Sequence, residues 1–403
     1  MNFSSFIGKA FNCLVFVVLI MIFQSCAEKD TQFKIIDPLS KANNGFVTFK
    51  DVPDGNYWVH VRVGSDNKEG HTVIRGESRR LFYDGIFTKK GEIKDVYFYI
   101  NKRDTIITEG RNVKIKKREV NKLNWDSNLT FEFNGESPQV VSIEITPSDS
   151  VLTVFLCGDS TVVDQESEPW CSWGQIIPRF FNEQICVANY AESGETASGF
   201  IARRRFEKLL TQIKPGDYVF VEFGHNDQKE KGEGKGAYLN FTDRLKDFVI
   251  EARENGAIPV FVTPTQRRSF NKEGKIVDTH GDYPDAMRKL ASEENVPLID
   301  LNSYTRTLYE AMGVESSVNA FVHYPANTFP NQEKALKDNT HFNPFGADQI
   351  AKCVVYGMKQ IHLPLVTYLR NDVTDFNPSQ PDDFKNFKWY PTPFVEIQKP
   401  EGN

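Results

Sequence analysis

The sequence has no excess of positive charge and no paired-cysteine pattern. It carries 48 lysine and arginine residues against 54 acidic ones, for a formal net charge of -6 at pH 7. That balance argues against a general nucleic-acid-binding protein. Its six cysteines form no C-x-x-C pair and no cysteine–histidine spacing typical of a metal site. We therefore expect neither a metal, nor another cofactor, nor a nucleic-acid partner.

Long apolar runs are also scarce. The one present, after Lys9, reads “FNCLVFVVLIMIFQSC” and is short for a membrane span, but its length and polar flanks are typical of an export signal. A small residue before Cys26 resembles a bacterial lipoprotein signal, in which Cys26 is lipidated. Phe23 and Gln24 depart from that pattern, so plain signal cleavage is the alternative. We expect residues 1–26 to be a lipoprotein-type signal peptide.

Export would place the protein in the bacterial periplasm or, through a lipid anchor only, at the outer membrane or cell surface. The cysteines that remain lie in apolar stretches and are expected to be buried thiols. A disulfide, for example Cys171–Cys186, stays open because an oxidising compartment permits one. These cysteines are Cys157, Cys171, Cys186 and Cys353.

The segment 33–146 alternates short apolar and polar positions at period two. Its runs are rich in β-branched and aromatic residues, and turns such as Pro53-Asp54-Gly55 separate them. This pattern predicts an all-β sandwich of about eight strands, with an ancillary or galactose-binding-like role. Four aromatic side chains could contact glycan or fill the core: Tyr57, Trp58, Phe82 and Tyr83. The predicted strands are “FVTFKDV”, “NYWVHVRVG”, “HTVIRGES”, “VYFYINKRD”, “NVKIKKREV”, “LTFEFNG” and “VVSIEITP”.

The rhythm changes in the segment 150–363. Near-continuous apolar strands alternate with amphipathic helices, which predicts a parallel sheet covered by helices on both faces. Gly256 is expected to end one helix. From residue 364 the chain is rich in proline and aspartate, and 364–403 is predicted to be an extended arm over a domain surface. The strands are “VLTVFLCG”, “ICVANYA”, “DYVFVEFG”, “IPVFVTP” and “VPLIDL”.

Polar residues gather in four loops of this second segment. In an open parallel sheet, functional side chains lie at the carboxyl ends of the strands. Three of the loops follow strands, and the fourth precedes the last helix, which we expect to begin near Pro344. The loops are Gly158-Asp159-Ser160, “AESGETASGF”, “FGHNDQ” and “DNTHFNPFGA”.

These loops contain the groups that acyl transfer requires. Ser160 is the candidate nucleophile, and His341 is the candidate base that takes the hydroxyl proton and returns it to the leaving alcohol. Asp338 lies three residues earlier, a spacing that in a turn lets its carboxylate reach the imidazole Nδ1 and leave Nε2 facing the serine. The N–H groups of Ser160 and Gly194 and the side-chain amide of Asn226 are candidate oxyanion donors.

Each of these groups also has a plain structural interpretation. The Asp–His pair could cap the last helix or lie in a solvated turn, Gly194 could only turn the chain, and Asn226 could form an Asx turn. His225 is the other histidine at a strand end and could structure its loop or contact substrate. Asp227 lies beside it, which leaves a second aspartate–histidine pair open.

Taken together, the four loops resemble blocks I, II, III and V of the SGNH (GDSL) hydrolases, through “GDST”, “GETASG”, “GHNDQ” and “DNTHFNPFGA”. The wider wording, including “ANYAESGETASGF” and “KPGDYVFVEFGHNDQK”, resembles the rhamnogalacturonan acetylesterase branch, including its two-domain members. The resemblance implies a three-layer α/β/α fold with a flavodoxin-like sheet. It also implies metal-free removal of acetyl groups from pectic polysaccharide. It assigns the nucleophile to Ser160, the Asp–His pair to Asp338 and His341, and oxyanion donors to Gly194 and Asn226.

An acidic pectic polysaccharide or oligosaccharide should meet cations and aromatic rings near the cleft. Arg267 and Arg268 follow a strand and could take a carboxylate bidentately, and Trp170 could stack on sugar or pack between helix and sheet. The arginines of “ARRRFEK” could serve the same purpose or form a solvated helix face. Two other functions stay open: an SGNH esterase for another acylated glycan or a lipid, and a catalytically silent glycan-binding lipoprotein.

Overall fold

A computed structural model describes residues 32–43, 45–392, 395–397 and 399–401. The predicted signal peptide 1–26 and its Cys26 lie outside the described residues. No helix in the described part of the chain is long and apolar enough to cross a bilayer.

The N-terminal segment forms two antiparallel sheets of four strands each, in the orders β1-β10-β3-β6 and β2-β9-β4-β5. Alternating side chains of both sheets meet in one core, which contains Val59, Val61, Ile74 and Phe131. The strands are β1 Phe33–Ile36, β2 Phe46–Phe49, β3 Gly55–Gly64, β4 Gly70–Gly76, β5 Arg80–Thr88, β6 Ile93–Lys102, β7 Ile106–Thr108, β8 Arg111–Asn112, β9 Leu129–Ser137 and β10 Val140–Pro147.

Of the four aromatic residues considered as glycan contacts, two belong to this core. Tyr57 and Phe82 are buried there, whereas Trp58 and Tyr83 are partly exposed. The Trp58 ring stacks on Tyr97 at a centroid distance of 5.3 Å.

The prediction of a strand over “NVKIKKREV” was wrong. Only its first residue is in a strand, the last of β8, and the chain then leaves the sandwich through single 3-10 turns at Lys117–Glu119 and Leu123–Trp125. The Lys114 N–H donates to the Arg203 carbonyl at 2.9 Å, and Val113 packs in a cluster with Phe155. We call residues 113–125 the crossing segment, because it belongs to the sandwich by sequence and packs on the second half of the chain.

The second half contains a five-stranded parallel sheet in the order β12-β11-β13-β14-β15. This is the 2-1-3-4-5 order of flavodoxin-like folds. The elements are β11 Leu152–Gly158, α1 Trp173–Ile176, β12 Ile185–Asn189, α2 Ala197–Ala202, α3 Arg205–Leu210, β13 Tyr218–Glu222, α4 Thr242–Glu254, β14 Ile258–Val262, α5 Tyr283–Glu293, β15 Leu298–Ile299, α6 Leu301–Ser316, β16 Phe321–Tyr324, β17 Leu336–Phe342 and α7 Pro344–Gln360.

Helices cover both faces of this sheet. Val154 and Leu156 of β11 belong to one buried cluster together with Ile350 of α7, whereas Phe155 belongs to another together with Phe248 of α4. Successive strand side chains point to opposite faces, so these two clusters are the two interfaces of a three-layer α/β/α sandwich. The predicted fold class is confirmed: a three-layer α/β/α sandwich with a flavodoxin-like parallel sheet, preceded by antiparallel sheets.

Three details differ from the sequence-based expectations or go beyond them. The helix expected over “FIARRRFEKLLTQI” is broken at Arg204, whose φ is 63°, and Arg205 is buried in an ion pair with Glu119 instead of facing solvent. The helix α6 was not predicted. The four cysteines that follow the predicted signal peptide are free and buried, so a Cys171–Cys186 disulfide is not formed.

The sandwich is joined to the α/β layer by two buried arginines, one in the turn after β4 and one at the start of β5. Arg79 donates through Nη2 to the Glu168 carboxylate at 2.7 Å and through Nη1 to the Trp170 carbonyl at 2.8 Å. Arg80 pairs with Asp164, with 3.3 Å between Nε and Oδ2. We call these the joint arginines.

The C-terminal residues run over the same joint. Arg75 lies 3.8 Å from the centroid of the Trp389 ring, and the indole N–H of Trp389 donates to Glu168 at 2.8 Å. The arm therefore covers part of the contact between the sandwich and the α/β layer.

Replacing Arg79 with methionine should lower the free energy of unfolding by about 3–5 kcal/mol, because Glu168 would remain as a buried carboxylate without its cation. Lys34→Met is the control, since the Lys34–Glu144 pair is partly exposed and its loss should cost less than about 1 kcal/mol. Urea denaturation of both variants measures the difference, and equal losses would contradict a buried joint.

Candidate active site

Ser160 lies in a tight turn at the carboxyl end of β11. The Asp159 carboxylate accepts the Thr161 N–H at 3.1 Å, and the Asp159 carbonyl accepts the N–H groups of Val162 and Val163 at 3.1 and 3.0 Å. A Cβ at Gly158 would lie 2.5 Å from a Val162 methyl carbon, so the turn requires glycine at that position. The strand therefore stops where Ser160 is presented at the edge of the sheet.

Ser160, His341 and Asp338 form one hydrogen-bonded chain. The Ser160 Oγ lies 2.9 Å from His341 Nε2, and His341 Nδ1 lies 2.7 Å from Asp338 Oδ2. The other carboxylate oxygen of Asp338 accepts the N–H groups of Thr340 and His341 at 2.8 and 3.1 Å. Asp338 and His341 both lie within β17, whose pairing with β16 is irregular, and the spacing of three residues works because the Asp338 carboxylate itself accepts the two N–H groups.

The Asp338 carboxylate is held in its ionised form. Burial acts to raise its pKa, but the hydrogen bond and charge of His341 and the two backbone N–H groups outweigh burial and lower the pKa to about 2. An ionised Asp338 fixes the proton on His341 Nδ1, so Nε2 is left to accept the proton of the Ser160 hydroxyl. The arrangement can activate a serine for attack on an acyl group.

The loops expected to supply oxyanion donors lie beside the hydrogen-bonded side chains of Ser160, His341 and Asp338. Gly194 has a φ of 74°, a conformation that favours glycine, and the Asn226 side-chain amide donates to the Glu195 carbonyl at 3.0 Å. An amide carries two N–H groups, so one remains for an oxyanion. Within the described ranges, the backbone N–H groups of Ser160 and Gly194 donate to no protein acceptor.

The alternative pair, His225 with Asp227, is not formed. The Asp227 carboxylate accepts the backbone N–H groups of Ala197 at 2.8 Å and Gly224 at 2.9 Å, which ties two of the loops together. His225 is buried, with its ring nitrogens 3.1 Å from the Thr265 hydroxyl and 3.1 Å from His280 Nε2. The structure thus places His225 within the loop packing, and its contact with substrate stays a prediction.

The other predicted substrate contacts lie around the same edge of the sheet. Arg267 is half-buried and donates to the carbonyl groups of His225 and Thr279, at 3.2 Å each. Arg268 is directed to Ser317, Asn339 and the Val314 carbonyl. Both guanidinium groups therefore hold loops of the site, and a contact with substrate stays a prediction.

Trp170 packs directly on the candidate base. Its ring meets the His341 ring edge-on, with 5.8 Å between centroids, and its indole N–H donates to the Glu396 carbonyl at 3.0 Å. Only 4% of Trp170 is exposed, so its present contact is packing against His341 and not an open stacking surface.

Sequence reasoning missed a buried carboxyl pair beneath Ser160. Glu222, the last residue of β13, accepts the Trp173 indole N–H at 2.5 Å and the Thr161 hydroxyl at 3.1 Å. Burial, and then repulsion from Asp159, raise the pKa of Glu222 to about 8. At neutral pH Glu222 is therefore mostly protonated, and the turn holds one buried charge fewer. Its position inside an apolar run, “VFVEFG”, is a sequence signal that marks it.

No group of three or more histidine, cysteine, aspartate or glutamate side chains in the described part of the chain is arranged to hold a metal ion.

Comparison with known proteins agrees with this geometry. The model of the GDSL-like lipase/acylhydrolase family matches residues 156–349, from the end of β11 into α7. The rhamnogalacturonan acetylesterase RhgT of Bacillus subtilis (strain 168) is 44% identical over 220 residues, which cover 54% of this chain and 94% of that protein. The chain belongs to the GDSL-like lipase/acylhydrolase family. The matched range contains all three members of the hydrogen-bonded chain.

Two further relatives of this family member extend the comparison. The probable rhamnogalacturonan acetylesterase YesY of B. subtilis is 34% identical over 215 residues, covering 53% of this chain and 94% of its own. The uncharacterized esterase YxiM of B. subtilis is 26% identical over 329 residues, covering 80% and 75%. The crystal structure of YxiM has a TM-score of 0.49 at 23% identity and covers 79% of this chain and 80% of its own.

Replacing Asp338 with asparagine should lower kcat by about 10⁴. Because Oδ1 is held by two backbone N–H groups, the new NH₂ group would face His341 Nδ1 and force the proton onto Nε2, which could then not accept from Ser160. Hydrolysis of a small aryl acetate measures the effect. Asp372→Asn, at an exposed ion pair with Arg370, should keep wild-type activity, and so would Asp338→Asn if the carboxylate had no role.

Proposed function

We propose that the protein is a serine esterase that removes O-acetyl groups from acidic pectic polysaccharide of the rhamnogalacturonan type. The observation that carries the proposal is the chain from Ser160 Oγ through His341 to Asp338, with contacts of 2.9 and 2.7 Å. Carbohydrate acetylesterase activity is supported by the relatives at 44% and 34% identity, both named for rhamnogalacturonan.

In the first half-reaction, Ser160 Oγ attacks the acetyl carbonyl carbon while its proton passes to His341 Nε2. The tetrahedral oxyanion would be met by the N–H groups of Ser160 and Gly194 and the amide of Asn226, each donor being worth roughly 2.7–4 kcal/mol elsewhere. Collapse breaks the ester bond, and the protonated histidine gives its proton to the departing sugar oxygen, which leaves as a hydroxyl group.

The second half-reaction repeats these steps with water. His341 Nε2 accepts a proton from a water molecule, whose oxygen attacks the acetyl-serine carbonyl. The new tetrahedral intermediate expels Ser160 Oγ, which regains its proton from His341, and acetate is released. Asp338 stays ionised throughout, in keeping with its pKa of about 2.

Purified protein should release acetate from acetylated rhamnogalacturonan, and Ser160→Ala should reduce the rate by about 10⁴ or more because the nucleophile is absent. Acetate is measured directly, with Ser379→Ala, at an exposed position, as the matched control. Circular dichroism checks that Ser160→Ala is folded.

The alternatives give different results in the same assay. Release from acetylated xylan or a lipid ester but not from rhamnogalacturonan would replace the proposed substrate with another acylated one. No release from any ester, including a small aryl acetate, would favour a silent glycan-binding protein.

We also propose that the protein is exported and anchored at the bacterial cell surface through a lipid on Cys26. The support is the apolar run that ends at Cys26 in the sequence. Detergent phase partitioning of cells producing the wild type and Cys26→Ser should find the first in the detergent phase and the second in the aqueous phase. Equal partitioning would reject the anchor.

A further inference from the structure

The crossing segment brings two cations from the sandwich to the loop that contains Gly194. Lys116 Nζ donates to the Ser193 carbonyl at 2.6 Å and lies 3.1 Å from Glu195 Oε1 and 3.2 Å from Glu401 Oε2. Arg118 pairs with Glu192, and its Nε lies 3.8 Å from Glu401 Oε2. Both cations are thus held at the candidate oxyanion loop by a part of the chain that lies outside the family match.

Lys116 contacts a residue that is itself linked to Ser160. Gln165 Nε2 donates to the Ser160 carbonyl at 3.1 Å and to the Ser193 hydroxyl at 3.5 Å, and a Cβ built on Gly194 would be 3.2 Å from Lys116 Nζ. A negatively charged group held by Lys116 would therefore lie on the Gly194 side of the site.

The cluster has one positive charge more than its fixed carboxylates neutralise. Arg203 also pairs with Glu195, at 3.0 Å. Three cations, Lys116, Arg118 and Arg203, face two carboxylates on the loop, Glu192 and Glu195. Among the described residues, the carboxylate of Glu401, from the C-terminal arm, is the one whose ion pairs balance the third cation.

The Glu401 side chain is 56% exposed, and an ion pair with an exposed partner is weak because water screens it. On the other side of the site, Lys399 Nζ lies 3.5 Å from Asp338 Oδ2. Residues 399–401 thus lie across the edge of the site while Ser160 is only 3% and His341 only 1% exposed.

We propose that Lys116 and Arg118 form a subsite for the carboxylate of a uronic acid residue in the substrate, and that Glu401 occupies this subsite until the substrate displaces it. The identity of the uronic acid as part of an acetylated polymer rests on the proposed function. The sandwich then supplies substrate-binding groups as well as packing, because the crossing segment extends from it into the cleft.

The experiment measures binding of D-galacturonate by calorimetry, with D-galactose as the neutral analogue, to the wild type and three variants. Lys116→Gln keeps the length of the side chain and removes its charge, and Glu195 retains Arg203 as a partner, so the fold should tolerate the change. Glu401→Gln removes the internal occupant's charge. Lys352→Gln is the matched control, since Lys352 also pairs with two carboxylates, Asp348 and Asp382.

Wild-type protein should bind galacturonate more tightly than galactose. Lys116→Gln should weaken galacturonate binding by about tenfold, the value of one hydrogen bond to a charged group. Glu401→Gln should strengthen it, because the internal competitor is weakened. The two variants should thus move the Kd in opposite directions while Lys352→Gln leaves it unchanged, a result that general destabilisation does not produce.

The proposal is overturned if galacturonate binds no better than galactose, or if Lys116→Gln and Lys352→Gln have the same Kd as the wild type. Competitive inhibition of aryl acetate hydrolysis by galacturonate, weaker in Lys116→Gln, would place the bound acid at the Ser160 site; noncompetitive inhibition would reject that location. Charge-dependent binding without acetate release from rhamnogalacturonan would reject the proposed function and keep the subsite. Acetate release without charge-dependent binding would support the proposed function and reject the subsite.

Discussion

The buried ion pairs of the joint arginines are the interaction on which most of the site depends. Arg79 and Arg80 leave the sandwich and pair with Glu168 and Asp164, which lie on the loop directly after the turn of Ser160. Buried charges are stable only when they are paired and hydrogen-bonded, so neither half of the chain can bury its own charges at this contact without those of the other half. The same loop carries Trp170 to the His341 ring, and the sandwich therefore helps to position the base.

The carboxyl groups around Ser160 have opposite environments. Asp338 accepts three hydrogen bonds and keeps its charge, with a pKa of about 2. Glu222 lies beneath the turn, and burial together with the nearby Asp159 raises its pKa to about 8. Separation of pKa values by environment lets one carboxylate stabilise a protonated histidine while another acts as a neutral partner in packing.

Two segments outside the family match, the crossing segment and residues 399–401, affect both the charge of the cleft and the access of substrate to it. The crossing segment brings cations to the loop of Gly194, and residues 399–401 cover them with Glu401 while Lys399 approaches Asp338. An acidic substrate would replace one carboxylate with another, so opening the site need not leave a buried cation unpaired. The sandwich and the C-terminal arm, which lie at opposite ends of the sequence, can thus both take part in binding an acidic substrate.

The sequence by itself determined what depends on local pattern: the period-two strands, the five parallel strands with most of their helices, and the segments that contain Ser160, Asp338 and His341. Such features follow from neighbours a few residues apart. The three-residue spacing of Asp338 and His341 is one example. The segment of these two residues, expected to be a loop, forms most of strand β17, and α6 was not predicted. Local pattern fails at Arg204, where the predicted helix is broken and Arg205 forms an ion pair with Glu119. Only the tertiary structure decided the ion pairs of the joint arginines, the contacts of Lys116 with the loop of Gly194, and the position of Glu401 against Lys116. Arg79 and Glu168 are separated by 89 residues and Lys116 and Glu401 by 285, and a run such as “KIKKRE” reads as a polar strand until the fold brings its partners to it.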